Sequence, residues 1–239
     1  MQIVKWIAAA AVATLFAGCA AQPEIPFDKS ANANIHTIGV VTPAMPDKPN
    51  IWLASDVGQS FGLIGALVDV SLQDARNRKV WAMLESRGVD PKDKFVDAIQ
   101  ASLKAQGYDA KLVAVPRKEG EVLKTYPTPA ESGADAYLDI NVVNYGYVAA
   151  GIGKSTPYRP FVYLNCKLVR ASDSAVLMQD AIFYDPVAPF GQGKNVSLSP
   201  DPAYTFIDFD AMEAKPDQVV SGIDASMHTT TDALGRLLR

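Results

Sequence analysis

Thiols and imidazoles are scarce in this chain. Two cysteines (Cys19 and Cys166) and two histidines (His36 and His228) occur in 239 residues. A structural zinc site needs closely spaced cysteine and histidine ligands, and these four positions are scattered along the sequence. A disulfide framework is excluded as well, because two cysteines make one bridge at most. Basic charge is short: 22 Lys and Arg stand against 26 Asp and Glu, for a net charge of -4. No basic cluster breaks that balance, which argues against nucleic acid as a partner. Beyond residue 19 no run of about 18 apolar residues appears, so no spanning helix is expected there. The stretch "GIGKST" (151–156) lacks full GxxxxGK[ST] spacing, and Pro157 and Pro160 forbid the helix a phosphate loop requires. No cofactor is called for.

What is present begins at the N-terminus. Lys5 precedes the apolar run "WIAAAAVATLF" (6–16), which is followed by small residues. A basic start, a short apolar core and small residues mark an export signal, too short to span a bilayer. The segment "LFAGC" (15–19) resembles the bacterial lipobox, with Ala17 and Gly18 matching and Phe16 standing where leucine is usual. The resemblance implies cleavage between Gly18 and Cys19 and acylation of Cys19, palmitate included. Several acyl chains give stable anchoring where one gives only reversible binding. Ala20, rather than aspartate, follows Cys19; in that family this points to the outer membrane and its periplasmic face. The alternative is an ordinary cleaved signal with an incidental cysteine. The expected organisation is a signal peptide (1–18), a lipidated flexible tether (19–33) and one periplasmic domain (34–239). If Cys19 is acylated, Cys166 has no mate and the core alone must hold the fold, even in an oxidising compartment.

Along the domain, "NIHTIGVVTP" (34–43) reads as a buried strand. The proline-rich "AMPDKPNIWLASDVG" reads as loop. In "SFGLIGALVDVSLQDA" (60–75) and its continuation, Phe61, Ile64, Leu67 or Val68, Leu72, Ala75 and Met83 recur at helical spacing, and Gly88 is the expected stop. Gly58, Gly62 and Ala66 add a small-residue stripe that permits close approach. "VDPKDKFVDAIQASLKAQG" has an Asp90 cap, Pro91 in the first turn, an apolar face of Phe95, Ile99 and Leu103, and a Gly107 stop. "YDAKLVAVP" (108–116), "ADAYLDINVVNYGYVAA" (134–150), "FVYLNCKLV" (161–169) and "AVLMQDAIFYD" (175–185) read as strands. In the second of these, Leu138, Ile140 and Val142 take one face, and Tyr137, Asp139 and Asn141 the other. Residues 186–215 read as a long loop. The last helix starts at Pro216, with Val220, Ile223, Met227, Thr230, Leu234 and Leu237 as its stripe. This order lacks βα alternation. It implies an α+β fold: a mixed, largely antiparallel sheet of about five strands with about three helices packed on it.

The first strand, "LKAQGYDAKLV", "GADAYLDINVVNYGY", a hairpin and a closing helix resemble a periplasmic α/β type. That type includes the TolB N-terminal domain, LpoB and the curli secretion lipoprotein CsgG. The resemblance implies an assembly or interaction role without catalysis; fold alone does not decide function.

Candidates for chemistry are few. Cys166 sits on an apolar alternating face, as a buried inert thiol would. Asp208, Asp210 and Glu213 form an acidic stretch without an EF-hand pattern, and a solvated loop is the simpler reading. Tyrosines are dense at 137, 145, 147, 158 and 163, and exposed ones suit partner binding. The leading expectation is a non-enzymatic, lipid-anchored envelope protein that binds another envelope protein. Its partner contacts are expected at Gly58, Gly62, Leu63, Ala66, Leu67, Tyr145 and Tyr147. The alternatives are an oligomeric secretion or assembly subunit and a hydrolase with an unrecognised site.

Overall fold

The computed structural model describes residues 23–54, 62–121, 123–150, 157–184 and 196–239, without the side chains of residues 54, 62–70 and 150. Seven strands form one mixed sheet: β1 (Thr37–Val41), β2 (Asn50–Ala54), β3 (Asp109–Val113), β4 (Ala136–Ala150), β5 (Tyr158–Arg170), β6 (Val176–Tyr184) and β7 (Val196–Leu198). Five helices accompany them: α1 (Gly62–Glu85), α2 (Pro91–Ala105), α3 (Pro129–Ser132), α4 (Phe209–Glu213) and α5 (Pro216–Arg236). The fold is α+β, as the element order implies, with two more strands than expected. The order is β3-β1-β4-β5-β6-β7, and β2 also pairs β4. The long central pairings β4–β5 and β5–β6 are antiparallel. The shorter pairings of β1 with β3 and β4, of β2 with β4 and of β6 with β7 are parallel.

One edge of β4 carries β1 along its first half and β2 along its second, with Ala44 bridging to Asn141 between them. β2 lies inside the stretch expected to be loop. Its prolines stop at Pro49, and "NIWLA" pairs with residues 146–150 as a short strand. Asp135 ties the β1 start to the β4 start, its carboxylate accepting the His36 and Thr37 N–H groups at 2.9 and 2.8 Å.

α2 forms for the expected reasons. The Asp90 carboxylate accepts the Lys92 N–H at 2.8 Å, Pro91 opens the helix, and Phe95, Ala98, Ile99 and Leu103 are buried on one face. Gly107 follows with φ +90, a conformation that favours glycine. α5 buries Val219, Val220, Ile223, Met227, Thr230 and Leu234. The two helices pack together, and α5 crosses β5 and β6. They lie close together at Gly235, where a Cβ would overlap the Ser102 hydroxyl.

α1 runs as expected to Glu85, but its buried face is rotated. Val80 and Leu84 are buried, whereas Leu72 is 49% exposed. The cause is polar. Asn77 Oδ1 accepts the Ile51 N–H at 2.7 Å, and Gln73 Nε2 donates to Asn50 Oδ1 at 2.7 Å, so the amide face of the helix turns toward β2. No helix among the described residues is long and apolar enough to cross a membrane.

Two segments expected to be loose are built into the domain. Within 186–215, the described residues 196–215 supply β7, a 3-10 turn (Pro202–Tyr204) and α4. In the expected tether, the chain docks from Pro23 onward. Ile25 and Gln179 exchange two backbone hydrogen bonds at 2.8 and 2.9 Å, and Gln179 Nε2 donates to the Pro23 carbonyl at 2.8 Å. Phe27 packs on the core, and Arg170 donates to the Asn32 side chain at 3.1 Å.

Candidate functional site

The outer sheet face, opposite α2 and α5, carries a buried charge cluster. Residues 114–121 and 123–135 form a strap across β1, β4 and β5. Leu123, Tyr126 and Val115 pack there on Val41, Ala134 and Tyr137. Tyr126 stacks on Tyr137 with ring centres 5.5 Å apart. Asp139, on β4, is the latch. One carboxylate oxygen accepts from Arg117 at 2.6 Å, and the other from the Tyr126 hydroxyl at 2.7 Å. Lys167 on β5 stands 3.4 Å from the second oxygen and donates to the Leu123 carbonyl at 3.2 Å. The Arg117 and Asp139 side chains are 1% and 4% exposed. Burial, with the Asp139 charge beside it, holds the Tyr126 hydroxyl far above its ordinary range. This arrangement pins the strap. It offers no free nucleophile, because every member is engaged in holding another.

A second feature is an open polar cleft of about 600 Å³ between the β2 start, α1 and the middle of β4. Lys48, Asn50, Asp74, Asn77, Arg78 and Glu119 line it, together with Val143, which is 51% exposed. At its rim Asp47 pairs with Lys92 at 2.5 Å, and that hydrogen bond and charge hold its carboxyl below the usual range. The amide pair of Asn50 and Asn77 is already committed to joining α1 to β2. The cleft mixes both signs of charge with amides and suits a polar ligand or a polar protein segment.

The sequence candidates are distributed differently from expectation. Tyr145 and Tyr147 are both fully buried, so neither ring is a partner contact. A β-bulge between Val142 and Asn144 inserts one residue and turns both rings into the core. The Tyr147 hydroxyl donates to the Val219 carbonyl of α5 at 3.1 Å. Tyr137 and Tyr158 are buried too, and Tyr163 lies half-buried beside Phe161 and Phe183. Asp208 caps α4, Asp210 sits in its first turn, and Glu213 pairs with Lys79 at 2.6 Å. The acidic stretch is therefore helix chemistry. Cys166 is buried, and burial pushes its thiol well above the ordinary range. His36 precedes β1, and His228 stands 3.8 Å from Asp224 on α5. No cluster of metal ligands occurs among the described residues. Cys19, Gly18, Gly58 and residues 151–156 lie outside the described residues. Gly62, Leu63, Ala66 and Leu67 fall in the first turns of α1, where side chains are not described. The latch escaped the sequence reading. Its one signal was Leu123 and Tyr126 inside an otherwise polar stretch.

No family model and no curated protein matches this chain. Solved structures with a similar layout exist. A Xanthomonas campestris protein of the DUF330 family is 14% identical over 90% of this chain and 86% of its own, with a TM-score of 0.43. The PelC dodecamer from Paraburkholderia phytofirmans is 12% identical over 90% and 94%, with a TM-score of 0.39. A lipoprotein from Neisseria meningitidis is 16% identical over 62% and 81%, with a TM-score of 0.31. Likeness at this level leaves function to be argued from the residues of this chain.

Proposed function

We propose that this chain is a lipid-anchored envelope protein whose domain serves as a non-enzymatic binding or assembly module on the periplasmic face of the outer membrane. The observation that carries the reading is "LFAGC" at 15–19, behind Lys5 and a short apolar run. The use of side chains in the domain supports it. Asp208 caps a helix, Glu213 is in an ion pair, the thiol is buried, and the charge cluster latches a strap. The partner is another envelope protein, and the start of α1 (62–70) is its contact.

Two measurements test this. Cells expressing the chain are labelled with a palmitate analogue. The wild type takes up label and fractionates with the outer membrane, while Cys19→Ser does neither; label-free, soluble wild type overturns the anchor. Photo-crosslinkers at Leu63 and Leu67 then report the contact. An adduct with one envelope protein supports the binding reading. An adduct between two copies, with a detergent mass many times that of one chain, supports self-assembly instead. Intrachain adducts alone make this stretch part of the core and overturn it as a contact.

A further inference from the structure

We infer that the domain faces the bilayer with its β6 edge, and that the docked segment 23–32 acts as a short strut holding this edge at the lipid surface. The inference rests on the proposed acylation of Cys19. Its geometric basis is independent of that reading. The chain is fixed to the domain at Pro23 through Gln179 Nε2 and at Ile25 through two backbone hydrogen bonds to Gln179. Beyond that point Asp28 folds the segment into a turn. Its carboxylate accepts the Ala31 N–H at 3.0 Å and the Ser30 hydroxyl at 2.7 Å. Asn32 is then held by Arg170 from the end of β5.

Only Ala20, Ala21 and Gln22 separate Cys19 from Pro23. Four Cα steps at about 3.5 Å each allow at most about 14 Å between them. A loose tether running to residue 33 would reach several times farther and leave the domain free to tumble. The docked segment cuts that reach to the four steps between Cys19 and Pro23. A thioether-linked lipid at Cys19 lies in the bilayer, so the β6 edge near Gln179 lies within about 14 Å of the headgroups, plus the reach of the side chain. β3, at the far margin of the sheet, is four strand spacings away, about 19 Å. Charge does not draw the β6 edge to lipid, because Glu24, Asp28, Asp173 and Asp180 surround the dock. Burial and the neighbouring Glu24 charge already raise the Asp180 carboxyl above its usual range. The covalent anchor and the short strut together keep this edge near the bilayer.

The full-length acylated protein is reconstituted into phosphatidylethanolamine–phosphatidylglycerol vesicles that carry nitroxide-labelled headgroups. A fluorophore is attached at Val176→Cys or at Leu112→Cys, which are 41% and 51% exposed in the wild type. Buried Cys166 stays unlabelled. Quenching several-fold stronger at position 176 than at 112 is expected. A flexible Gly/Ser insertion of about twelve residues between Gln22 and Pro23 should bring the two positions together while leaving the circular dichroism unchanged. Protein that floats with the vesicles but is quenched equally at both positions overturns the inference and leaves the anchor standing. Protein that does not float overturns the anchor, and the inference with it.

Discussion

Removing the carboxylate of Asp139 should cost more than most single changes in this domain. In Asp139→Leu the Arg117 guanidinium, 1% exposed, stays buried with no carboxylate beside it. Its Nε already lacks a partner among the described residues. Breaking a buried pair by deleting one member costs about 3–5 kcal/mol. A domain of this size has a total stability of about 5–15 kcal/mol. With a urea dependence of about 2 kcal/mol per molar, the midpoint should fall by roughly 1.5–2.5 M. The strap should also loosen before the domain unfolds, since Arg117, Tyr126 and Lys167 all converge on this one carboxylate. Limited proteolysis should therefore cut first between residues 115 and 127. The double variant Arg117→Met with Asp139→Leu removes both charges and should recover most of the loss. Equilibrium urea unfolding of the two single variants and the double variant decides the matter. If Asp139→Leu alone lies within about 1 kcal/mol of wild type, the assignment of Asp139 as the latch is wrong.

Three further outcomes are expected. Cys166 should resist a thiol reagent at pH 8 in the native protein and react fully in urea, because burial disfavours its thiolate; rapid native labelling would contradict the packing of β5 against the helices. Gly222→Ala gains about 1 kcal/mol of helix propensity, yet its methyl meets the Tyr147 hydroxyl and the Tyr204 ring, so a net loss of about 1–3 kcal/mol is expected by calorimetry and a gain would refute the close approach. For Asp180, burial raises the folded pKa above its ordinary 3.8, so the folded state binds the proton more tightly than the unfolded chain. The charged form is penalised above that window and relieved as pH falls through it. Asp180→Asn should thus be more stable than wild type at pH 7, with the advantage shrinking toward pH 4 in unfolding series; an advantage that grows on acidification would reverse the sign.

Helix α2 and the closing helix were legible because each carries its signal locally. Asp90, Pro91, the Phe95–Ile99–Leu103 stripe and Gly107 need no tertiary partner to be read. β2 was not legible, because its pairing with residues 146–150 is a tertiary contact and three nearby prolines mimic a loop. The rotated face of α1 failed for a related reason. Side-chain amides at Gln73 and Asn77 found partners on β2, and those hydrogen bonds outweighed an apolar Leu72 left in water. Asp139 read only as one of the residues on the strand face opposite Leu138, Ile140 and Val142, and the strap that contacts it comes from another stretch of sequence. Of the candidate site, the latch was not readable, since a charge cluster assembled from positions 117, 126, 139 and 167 has no linear spacing.

The bulge in β4 explains the largest single misplacement and can be tested alone. Strict alternation puts Tyr137, Asp139, Asn141, Val143, Tyr145 and Tyr147 on one face. The register passes from Val142 opposite Leu164 to Asn144 opposite Tyr163, so Val143 is the extra residue. Parity flips there. Val142, Tyr145 and Tyr147 share the core with Ile140, and Val143 stands half in water at the polar cleft. Deleting Val143 removes the extra residue, so Asn144 follows Val142 directly and Tyr145 and Tyr147 keep their places beside Val142 in the core. Gly146 stays in place as well, its φ of +138 letting the Asn50 backbone approach too closely for any Cβ. The deletion variant should therefore keep its core and its β2 pairing and give a cooperative thermal transition, as the wild type does. The substitution Val143→Ser, which keeps the residue count and trims an exposed side chain, should change stability by less than about 0.5 kcal/mol. A deletion variant that loses its cooperative transition would mean that the tyrosines reach the core by some route other than residue parity.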